Sequence, residues 1–551
     1  MCSTRSRADR SVLAGFRIRA QQVEKRPPCQ AECPNSGDVR GWIGLIAQHD
    51  KNGLTLDEAY DAAWARIAER NPMPASLARI CPHPCEDLCT RQEKDGAVSI
   101  NALERFLGDW GLSRSLPLPQ ATGEASLESV GVVGSGPASL SFAYQMARRG
   151  YTVTVYEKDE TAGGMLRHAI PDYRLPRDVL DSEIERLLSM GVALEYGVCI
   201  GVDISLDELR ERHALLFLGL GAQAGRKLNV SGEHGPRVVT GIDFLRQRKK
   251  VLSKLDAERV VVIGGGNTAM DAARSALRDG AFVTLVYRRS MEEMPASDDE
   301  VREALNEGVE FRFMSAPTRI LHDDKGVQQV EVQRMRLGAP DKDGRRKPIP
   351  VDNDTETLPA DLVIVAVAQM ADWQGLDAVA AASDWFNTRA DGRLADDLWA
   401  GGDDRGPGIA SAAIAQGRYA AEAAHAELRE LPPPETDIRR PVRPDSVKID
   451  HYEDCERLAR SPNTTDWRGN PEAEIVTTIA YDDAVAEAMR CMSCGQCFDC
   501  QQCFMYCNGS GFTRVAEPGP GRYFVLNLDA CEGCGKCIEI CPCGYLEARD
   551  K

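Results

Sequence analysis

The sequence predicts an α/β protein whose centre holds two parallel-sheet domains, preceded by a mainly helical segment and followed by a small α+β segment. The centre shows the same order of elements twice, from Val130 and from Arg259. A short β-branched run is followed by a glycine turn and an alanine-rich helix, which is the order of a βαβ unit. Before them, residues 39–48 and 56–69 carry apolar residues three and four positions apart, which predicts helices. Both ends of the chain are rich in cysteine.

Nineteen cysteines occur in 551 residues, five of them between Cys29 and Cys89 and eleven between Cys491 and Cys543. A secreted disulfide scaffold is short and distributes its bridges, so this crowding indicates metal or cluster ligation in a reducing compartment. The net charge of −18 disfavours a nucleic-acid or anionic-membrane surface. Residues 1–16 are basic without an apolar core, and no apolar run approaches the ~20 residues of a spanning helix. We therefore expect a cytoplasmic chain without a transmembrane segment.

Residues 129–158 predict a strand, a glycine turn, a helix and a second strand. Gly134 makes the tight turn, and Gly136 lets the backbone approach a pyrophosphate at the helix N-terminus. Glu157 ends the second strand, where an acid binds a ribose hydroxyl. Strand, helix and acid together favour a dinucleotide site over a structural glycine turn. Its other predicted contacts are Ser135, Pro137, Ala138 and Lys158.

Two later segments complete a predicted flavin site. Asp403 lies after a short strand and just before a helix, where an acid binds a ribityl chain; a plain helix N-cap is the alternative. Gly402 and Ile409 are predicted to contact the flavin beside it. Residues 163–176 (GGMLRHAIPDYRLP) resemble the loop after the second strand in a flavoprotein family. That resemblance implies contacts from Gly164, Met165, Leu166 and Arg174.

A second glycine turn lies in residues 259–290 and predicts the nicotinamide-nucleotide site. Its predicted contacts are Gly264, Gly265, Gly266, Asn267, Thr268 and Ala269. The next strand ends in Arg288 and Arg289 instead of an acid, which favours NADP, because arginines pair with its 2′-phosphate. Glu292 and Glu293 follow directly, so NAD and a merely solvated arginine pair stay open.

Two nested sites of this kind are typical of pyridine-nucleotide-dependent flavoproteins, with FAD and NAD(P) as cofactors. Hydride would pass from nicotinamide C4 to flavin N5, a step that needs orientation more than an acid–base group, so we assign no catalytic side chain. Residues 251–365 contain no CxxC, which argues against a thioredoxin-reductase-type dithiol.

The C-terminal cysteines form two runs with the CxxCxxCxxxC spacing of two-cluster ferredoxins, in which the fourth cysteine of each run ligates the other cluster. One predicted [4Fe–4S] ligand set is Cys497, Cys500, Cys503 and Cys541. The other is Cys531, Cys534, Cys537 and Cys507. Cys491, Cys494 and Cys543 are left over, without an assigned role. A cluster run starting at Cys491 would leave Cys497 without a fourth partner at the right spacing.

The segments PCQAECPNSGDVRGWI, RICPHPCEDLC and VSINALERF resemble the cluster-binding helical domain of the glutamate synthase small subunit family. Related segments occur in dihydropyrimidine dehydrogenase and in transhydrogenase-type ferredoxin:NADP oxidoreductase. VVIGGGNTAMD, YRRSMEEMPA and AGGDDRGPG match the same family, so the resemblance covers about residues 25–430. The C-terminal cysteine module is an addition found in a subset.

Family members usually hold two [4Fe–4S] clusters in the helical domain, but the CxxC that precedes these cysteines in relatives is missing: residues 20–28 read AQQVEKRPP. By position, the resemblance implies one cluster with the ligands Cys33, Cys81, Cys85 and Glu104. The second cluster would keep only Cys29 and Cys89 and is expected to be lost. The alternative is one cluster with four of these five cysteines and a solvated Glu104.

The predicted domains are a helical iron–sulfur domain (1–120), an FAD domain (121–250 and 366–430), an NAD(P) domain (251–365), a proline-rich linker (431–480) and a two-cluster ferredoxin domain (481–551). The two nucleotide domains are expected to be Rossmann-like. We predict a flavoprotein subunit that transfers electrons between NAD(P)H and iron–sulfur clusters through FAD.

The sequence shows no site for an organic substrate, so a catalytic partner is expected in a hetero-oligomeric complex. The favoured partner is an iron–sulfur or thiamine-dependent enzyme such as a 2-oxoacid:acceptor oxidoreductase. The alternatives are the NAD(P)H-linked subunit of dissimilatory sulfite reductase and a true glutamate synthase small subunit. A non-catalytic scaffold is disfavoured by the intact glycine turns with Glu157 and Asp403.

Overall fold

A computed structural model describes residues 18–121, 128–250, 256–324, 326–342, 344–373, 375–376, 379, 384–434, 437–460, 463 and 467–549. The described residues divide into two compact units. The first lies within Met1–Pro119, Pro432–Ser461 and Thr478–Lys551, and the second within Gln120–Leu431 and Pro462–Thr477. The predicted helical and ferredoxin segments, at opposite ends of the chain, therefore fold into one unit, and both βαβ segments lie in the other.

The second unit contains two parallel sheets, as the two βαβ patterns predict. In spatial order, the strands of the six-stranded sheet are Arg393–Ala395, Leu398–Ala400, Leu215–Leu218, Ser129–Val133, Thr152–Glu157 and Ala193–Tyr196. Only the pairing of Arg393–Ala395 with its neighbour is antiparallel. The five-stranded sheet runs Glu310–Phe313, Phe282–Tyr287, Arg259–Ile263, Leu362–Val365 and Val238–Thr240, all parallel. The central strands are apolar throughout because helices and loops cover both faces.

Two smaller sheets complete this unit. An antiparallel sheet packs beside the five-stranded one and consists of Ser315–Asp323, Gly326–Pro340 and Arg346–Pro359. Ala224–Gly225 pairs with Gln369–Met370. The α-helices are Pro137–Ala147, Met165–His168, Arg177–Leu188, Leu206–Arg212, Gly241–Lys250, Asn267–Arg278, Asp298–Glu307 and Ala410–Leu428, with 3₁₀ turns at Met291–Glu293 and Asp403–Arg405.

The first unit is mainly helical in its N-terminal part. Its helices are Pro28–Glu32, Val39–Ala47, Leu56–Ala68, Pro74–Ile80, Pro84–Asp87 and Ile100–Ser113, with a 3₁₀ turn at Thr90–Glu93. The helix Leu56–Ala68 begins with a capping box between Thr55 and Glu58, which satisfies amides at the helix start. Residues 39–48 and 56–69 are thus helical as predicted, apart from their last residue.

The C-terminal part of the chain is built into the same core. The helix Tyr481–Met489 places Ala484 and Ala488, both fully buried, against the apolar faces of the N-terminal helices. Tyr60 donates a hydrogen bond to the backbone oxygen of Tyr481 (2.7 Å). The remaining helices here are Gln502–Met505 and Lys536–Ile540, with 3₁₀ turns at Pro444–Ser446 and Ile449–His451.

Strand pairing also joins the two ends of the chain. Ala20–Gln22 pairs antiparallel with Leu546–Ala548, and Gln21 donates a side-chain hydrogen bond to Glu547 (3.0 Å). A second antiparallel pair is formed by Phe512–Gly519 and Arg522–Leu526. Among the described residues, no helix combines the length and the apolar composition that crossing a membrane requires. The basic N-terminal stretch 1–16, with Cys2, lies outside the described residues.

Candidate cofactor sites

The first glycine turn connects Ser129–Val133 to the helix Pro137–Ala147. Gly134 has a φ of +85°, and a Cβ there would lie 2.4 Å from the backbone oxygen of Gly219, so only glycine fits. Gly136 has an extended backbone, and a Cβ there would meet no protein atom within 4 Å. Open space at the start of a helix is the arrangement that admits a pyrophosphate. The site therefore fits the phosphates of a dinucleotide.

Glu157 braces this turn from the neighbouring strand. Its carboxylate accepts hydrogen bonds from the Ser135 amide (2.9 Å), from the Ser135 hydroxyl and from the amide of Asp159 (2.9 Å). Only 5% of Glu157 is exposed, whereas the next residue, Lys158, is exposed. The acid that the sequence assigns to a ribose hydroxyl thus also fixes the shape of the turn.

The loop after the second strand folds over the first turn. Gly164 has a φ of +51°, and a Cβ there would lie 2.8 Å from the Cα of Gly136. Met165 and Leu166 begin the short helix Met165–His168, and Leu166 is buried. The close approach of the two backbones explains why two glycines face each other here.

The helix Ala410–Leu428 packs on the helix of the first turn. A Cβ at Gly417 would lie 2.0 Å from the backbone oxygen of Ala138, so the two helices touch through their backbones. Ile409 is the residue before the helix, and Gly402, with a φ of +82°, precedes the turn Asp403–Arg405 that follows the strand Leu398–Ala400. The second flavin segment is therefore brought to the N-terminus of the first helix.

Two adjacent acids follow that strand. Asp403 accepts a hydrogen bond from the amide of Gly408 (3.0 Å), and burial raises its pKa. Asp404 is fully buried, accepts hydrogen bonds from the amides of Leu220 (2.9 Å) and Gly221, and has a pKa raised to about 8, mainly by burial. Sequence patterns singled out Asp403 alone; Asp404, which ties this loop to the end of a central strand, was missed.

Arg174, predicted to contact the flavin, has a different place in the structure. Its guanidinium lies 2.7 Å from Asp271 and 2.9 Å from Glu300, and all three side chains are largely buried. A buried guanidinium needs carboxylate partners, and these two come from helices of the NAD(P) side. The charge of Arg174 is thus neutralised within the protein, and its contact with the flavin stays a prediction.

The second glycine turn follows the strand Arg259–Ile263. A Cβ at Gly264 would lie 2.2 Å from the backbone oxygen of Ala366, and one at Gly265 would lie 2.4 Å from the ring of Tyr287. At Gly266, by contrast, no protein atom would be closer than 3.9 Å. The turn repeats the first one, with open space where a pyrophosphate fits.

The helix after this turn is anchored by its first residues. The Asn267 side chain accepts a hydrogen bond from the amide of Ser297 (3.2 Å), and the Thr268 hydroxyl accepts one from Gln369 (3.2 Å). Ala269 is fully buried in the position of the third glycine. These three residues therefore fix the start of the helix and, with it, the conformation of the turn.

The two arginines after the second strand of this sheet differ in their surroundings. Arg289 is buried and its guanidinium lies 2.7 Å from Asp341. Arg288 is exposed and lines an open cavity of about 740 Å³ together with Lys342, Lys347 and the paired Arg289 and Asp341. Arg288 and the two lysines form a cationic surface suited to a phosphate group.

Glu292 and Glu293, which follow these arginines, do not line that cavity. Glu293 is buried, accepts a hydrogen bond from Ser290 (2.7 Å) and pairs with Arg346. Glu292 is exposed at the adjoining turn. The negative charge of Glu293 is therefore neutralised within the protein.

The C-terminal cysteines line two cavities in the first unit. One, of about 20 Å³, is lined by Cys497, Cys500, Cys503 and Cys541, with Cys543 beside them. The other, also of about 20 Å³, is lined by Cys507, Cys531, Cys534 and Cys537. Each set combines three cysteines of one run with the fourth cysteine of the other. No three His, Cys, Asp or Glu side chains in the described residues converge as they would on a single metal ion. Each cavity instead gathers the four thiols of one predicted ligand set, which is the ligand number of a [4Fe–4S] cluster.

The N-terminal cysteines separate into two groups. The pKa of Cys85 is raised by burial and then by the charges of Cys33, Glu86, Glu104 and Cys81. Cys33, Cys81 and Glu104, which the resemblance assigns to one cluster with Cys85, are thus each near that thiol. Asn71 donates a hydrogen bond to Glu104 (3.4 Å).

Cys29 and Cys89 form the second group, but they are not alone. Together with Cys491 and Cys494 they line a cavity of about 30 Å³. The expectation that Cys29 and Cys89 keep no further cysteine partners is therefore wrong. The physical reason is that the helix Tyr481–Met489 packs on the N-terminal helices and carries the next CxxC to this place.

The chain matches two family models. Residues 128–417 match the pyridine nucleotide-disulphide oxidoreductase model. Residues 19–116 match a model described as dihydropyrimidine dehydrogenase domain II, 4Fe-4S cluster.

Three curated proteins illustrate the similarity. The NADP(+)-dependent formate dehydrogenase subunit beta of Moorella thermoacetica is 39% identical over 376 residues, 64% of this chain and 52% of that protein. The Escherichia coli O157:H7 protein YgfK is 32% identical over 549 residues, 95% of this chain and 48% of that protein. The glutamate synthase [NADPH] small chain of Azospirillum brasilense is 33% identical over 424 residues, 73% of this chain and 86% of that protein. The chain thus spans about half the length of the first two relatives.

Proposed function

The chain belongs to the pyridine nucleotide-disulphide oxidoreductase family, and from that premise we propose that it is the NADPH-linked electron-transfer subunit of a larger enzyme. The observation that carries this proposal is the combination, in one chain, of two dinucleotide turns and separate four-thiol cavities. The family binds FAD and NAD(P), and the N-terminal segment matches a [4Fe–4S] domain. FAD, when bound, supplies the conversion between a two-electron hydride donor and one-electron carriers.

The residues of the first turn would hold the dinucleotide by its phosphates and riboses. Gly136 leaves space for the pyrophosphate, and Gly164 keeps the covering loop close without filling that space. Glu157 would accept from a ribose hydroxyl while it braces the turn. Asp403 would face the ribityl chain from the loop that Gly408 fixes. Hydride transfer from the nicotinamide to the flavin depends on orientation, so the chain needs no acid–base side chain for it.

NADPH is the proposed nucleotide rather than NADH. Arg288, Lys342 and Lys347 surround a cavity at the end of the second strand, where the 2′-phosphate of NADP is recognised in this fold. Glu293 does not compete for that phosphate, because Arg346 and Ser290 hold its carboxylate. The names of the formate dehydrogenase and glutamate synthase relatives specify NADP(H), which supports the same assignment.

We infer three [4Fe–4S] clusters from the predicted ligand sets. Two belong to a ferredoxin-like C-terminal module, since its two cavities hold the cysteine sets that the spacing predicts. The third would be held by Cys33, Cys81, Cys85 and Glu104. Carboxylate ligation is unusual for such a cluster and would tune its potential.

The partner is proposed to carry the catalytic centre for the organic substrate. A relative that is 39% identical is a subunit of a formate dehydrogenase, so a multi-subunit assembly fits. Our sequence-based preference, a 2-oxoacid:acceptor oxidoreductase, stays a proposal. The second candidate is a glutamate synthase small chain, because the chain covers 86% of one such protein at 33% identity.

Anaerobic stopped-flow reduction tests the proposal. NADPH should reduce the bound flavin and then the clusters, and it should do so faster than NADH at equal concentration. Flavin that neither nucleotide reduces would overturn the proposed function, and faster reduction by NADH would overturn the nucleotide assignment. Glutamine-dependent NADPH oxidation in the presence of a glutamate synthase large subunit would favour the second candidate.

A further inference from the structure

We propose that Cys29, Cys89, Cys491 and Cys494 bind a fourth [4Fe–4S] cluster, at a place we call the shared site. Two of its ligands come from the N-terminal part of the chain and two from the C-terminal part. Cys491 and Cys494 thereby take the place of the CxxC that is missing from residues 20–28. The N-terminal domain would hold two clusters after all.

The size of the cavity supports this assignment. The cavity at the shared site measures about 30 Å³, compared with about 20 Å³ for each of the two cavities of the C-terminal cysteine runs. Four cysteines line the shared site and the cavity of Cys531, and five line the cavity that includes Cys543. A place of similar size with a similar number of thiols fits the same kind of cluster.

The four thiols approach the cavity from separate short elements. Cys29 lies in the helix Pro28–Glu32, Cys89 follows the helix Pro84–Asp87, and Cys491 follows the helix Tyr481–Met489. The pKa of Cys29 is raised by burial and then by the charges of the other three cysteines, so all four are close neighbours. All four cysteines are half-buried.

Apolar side chains form most of the remaining wall. They are Pro27, Pro28, Val39, Ile43, Val98, Ile100 and Met492. Such a wall keeps water from a cluster and lowers the local dielectric, which are the conditions under which protein-bound clusters persist and their potentials are set.

Arg40 supplies a positive charge at this wall. It is 1% exposed; Nη1 donates to the backbone oxygens of Lys25 and Cys494, both at 2.7 Å, and Nη2 pairs with Glu24 at 2.7 Å. Its Nε is buried and has no hydrogen-bond partner in the structure. A buried donor without a partner costs free energy, so this N–H points to an acceptor such as a cluster or thiolate sulfur.

Backbone contacts fix the CxxC segment against the N-terminal part. The Lys25 amide donates to the oxygen of Gly495 (3.1 Å), and Arg91 donates to the backbone oxygen of Arg490 (2.5 Å). Arg490, which is 2% exposed, donates in turn to the oxygen of Ala97 (3.1 Å). The segment is therefore positioned on both sides of its two cysteines.

The chemistry of loading is a ligand exchange without electron transfer. A [4Fe–4S] cluster carried on exchangeable thiolates would enter, each of the four cysteine thiols would release its proton to solvent, and four new S–Fe bonds would replace the four carrier S–Fe bonds. Arg40 offsets part of the negative charge that four thiolates bring into an apolar place.

The shared site would also connect the other cluster sites into one series. Cys29 and Cys89 are each four residues from a cysteine of the Glu104 set, Cys33 and Cys85. Cys494 is three residues from Cys497, so their Cα atoms are at most about 11 Å apart. Without a cluster at the shared site, this series would be interrupted in its middle.

Iron and sulfide analysis of anaerobically purified protein tests the proposal. We compare the wild type with Cys491→Ala/Cys494→Ala and with the control Cys199→Ala, a cysteine of the second unit. The double variant should lose about four irons and four sulfides per chain and one EPR signal of the reduced protein. It should keep its flavin and the other signals, as should the control. Unchanged iron in the double variant, or zinc in the wild type in place of this iron, would overturn the proposal.

Single serine variants keep the test decisive if the double variant yields no protein. Cys494→Ser and Cys89→Ser, at the two ends of the site, should alter the same EPR signal, since oxygen replaces sulfur on the same cluster. Signals that stay unaltered in both would overturn the proposal. Flavin reduction by NADPH is measured on the same samples, so failure of the proposed function is distinguished from failure of the shared site.

Discussion

Arg174 and Asp271 form a buried ion pair in which Nη1 of the arginine lies 2.7 and 2.9 Å from the two carboxylate oxygens. Arg174 belongs to the loop after the first nucleotide turn, and Asp271 to the helix that starts at the second. Burial raises the pKa of Asp271 to about 6 despite the adjacent arginine. The pair therefore couples the flavin side of the unit to its NAD(P) side.

Arg174→Met should destabilise the second unit by about 3–5 kcal/mol, because it leaves the carboxylate of Asp271 buried without its main partner. Urea unfolding followed by circular dichroism measures the loss. The control is Arg302→Met, which removes an exposed pair with Asp299 and should cost less than about 1 kcal/mol. Equal losses of unfolding free energy in the two variants would show that the buried pair contributes no more to stability than the exposed pair does.

Alanine at the two glycines of the first turn should affect different properties of the protein, stability at one position and FAD binding at the other. Gly134→Ala should lower stability by about 1–3 kcal/mol, since its φ is +85° and the backbone of Gly219 blocks a Cβ. Gly136→Ala should leave stability nearly unchanged but reduce the FAD content, because its Cβ would occupy only the space kept for the pyrophosphate. Flavin absorbance and urea unfolding measure both. A Gly136→Ala variant with full flavin would contradict the predicted role of that space.

Arg288→Gln should raise the KM for NADPH about 10- to 100-fold, as expected for the loss of one charge-assisted hydrogen bond to phosphate. The KM for NADH should stay within about twofold, because NADH lacks the 2′-phosphate. Steady-state reduction of an artificial acceptor gives both constants. The control Arg302→Gln removes the same charge from an exposed residue of the helix Asp298–Glu307. A rise of the same factor for both nucleotides would argue against phosphate recognition.

Glu104→Gln should keep the N-terminal cluster but raise its reduction potential, since a neutral amide replaces a negative carboxylate on iron. Glu104→Ala should lose the cluster. EPR-monitored redox titration distinguishes the two. Glu32→Gln removes the same charge from an exposed residue beside Cys33 and should shift the potential less. If Glu104→Ala retained the cluster unchanged, a four-cysteine ligand set without Glu104 would be favoured.

The stability of the second unit should fall as the pH rises from 6 to 8, because of Asp404. Burial and the charge of Asp403 raise its folded-state pKa to about 8, far above the value near 3.9 of the unfolded chain. The folded state therefore holds a proton that the unfolded chain releases, so the contribution to stability is largest at low pH and decreases by up to about 1.4 kcal/mol per pH unit until the pH passes the folded-state pKa.

Asp404→Asn removes this titration and should flatten the dependence. Urea midpoints at pH 6, 7 and 8 give the slopes for both proteins. Glu310→Gln, at an exposed edge-strand residue, is the control and should keep the wild-type slope. Parallel slopes for wild type and Asp404→Asn would exclude Asp404 as the titrating group.

Much of the architecture could be predicted from local patterns. Strand runs, glycine turns and helix periodicity repeat within about 30 residues, so the two parallel sheets and the positions of Gly134 and Gly264 follow from sequence alone. The spacing within each cysteine run is likewise a local pattern. In the structure, each of two cavities is lined by three cysteines of one run and the fourth cysteine of the other, as that spacing predicts.

The remaining features depend on tertiary contacts that no local pattern records. Cys29 and Cys491 are separated by most of the chain, and only the packing of Ala484 and Ala488 on the N-terminal helices brings their neighbourhoods together. Arg174 belongs to a motif with a familiar role, but its burial among carboxylates decides what it contacts. The sequence likewise contains no signal that separates Asp404 from the adjacent acid.

The pairing of Ala20–Gln22 with Leu546–Ala548 has a consequence for biosynthesis. Gln21 and Glu547 are 526 positions apart, so the first strand waits for its partner until those further residues have been synthesised. At about 5–20 residues per second, that delay lasts roughly half a minute to two minutes. Meanwhile the nucleotide-binding unit can fold, whereas the N-terminal helices stay incomplete with reactive thiols. Completion of the cavity that Cys29, Cys89, Cys491 and Cys494 line together is therefore a late event in synthesis.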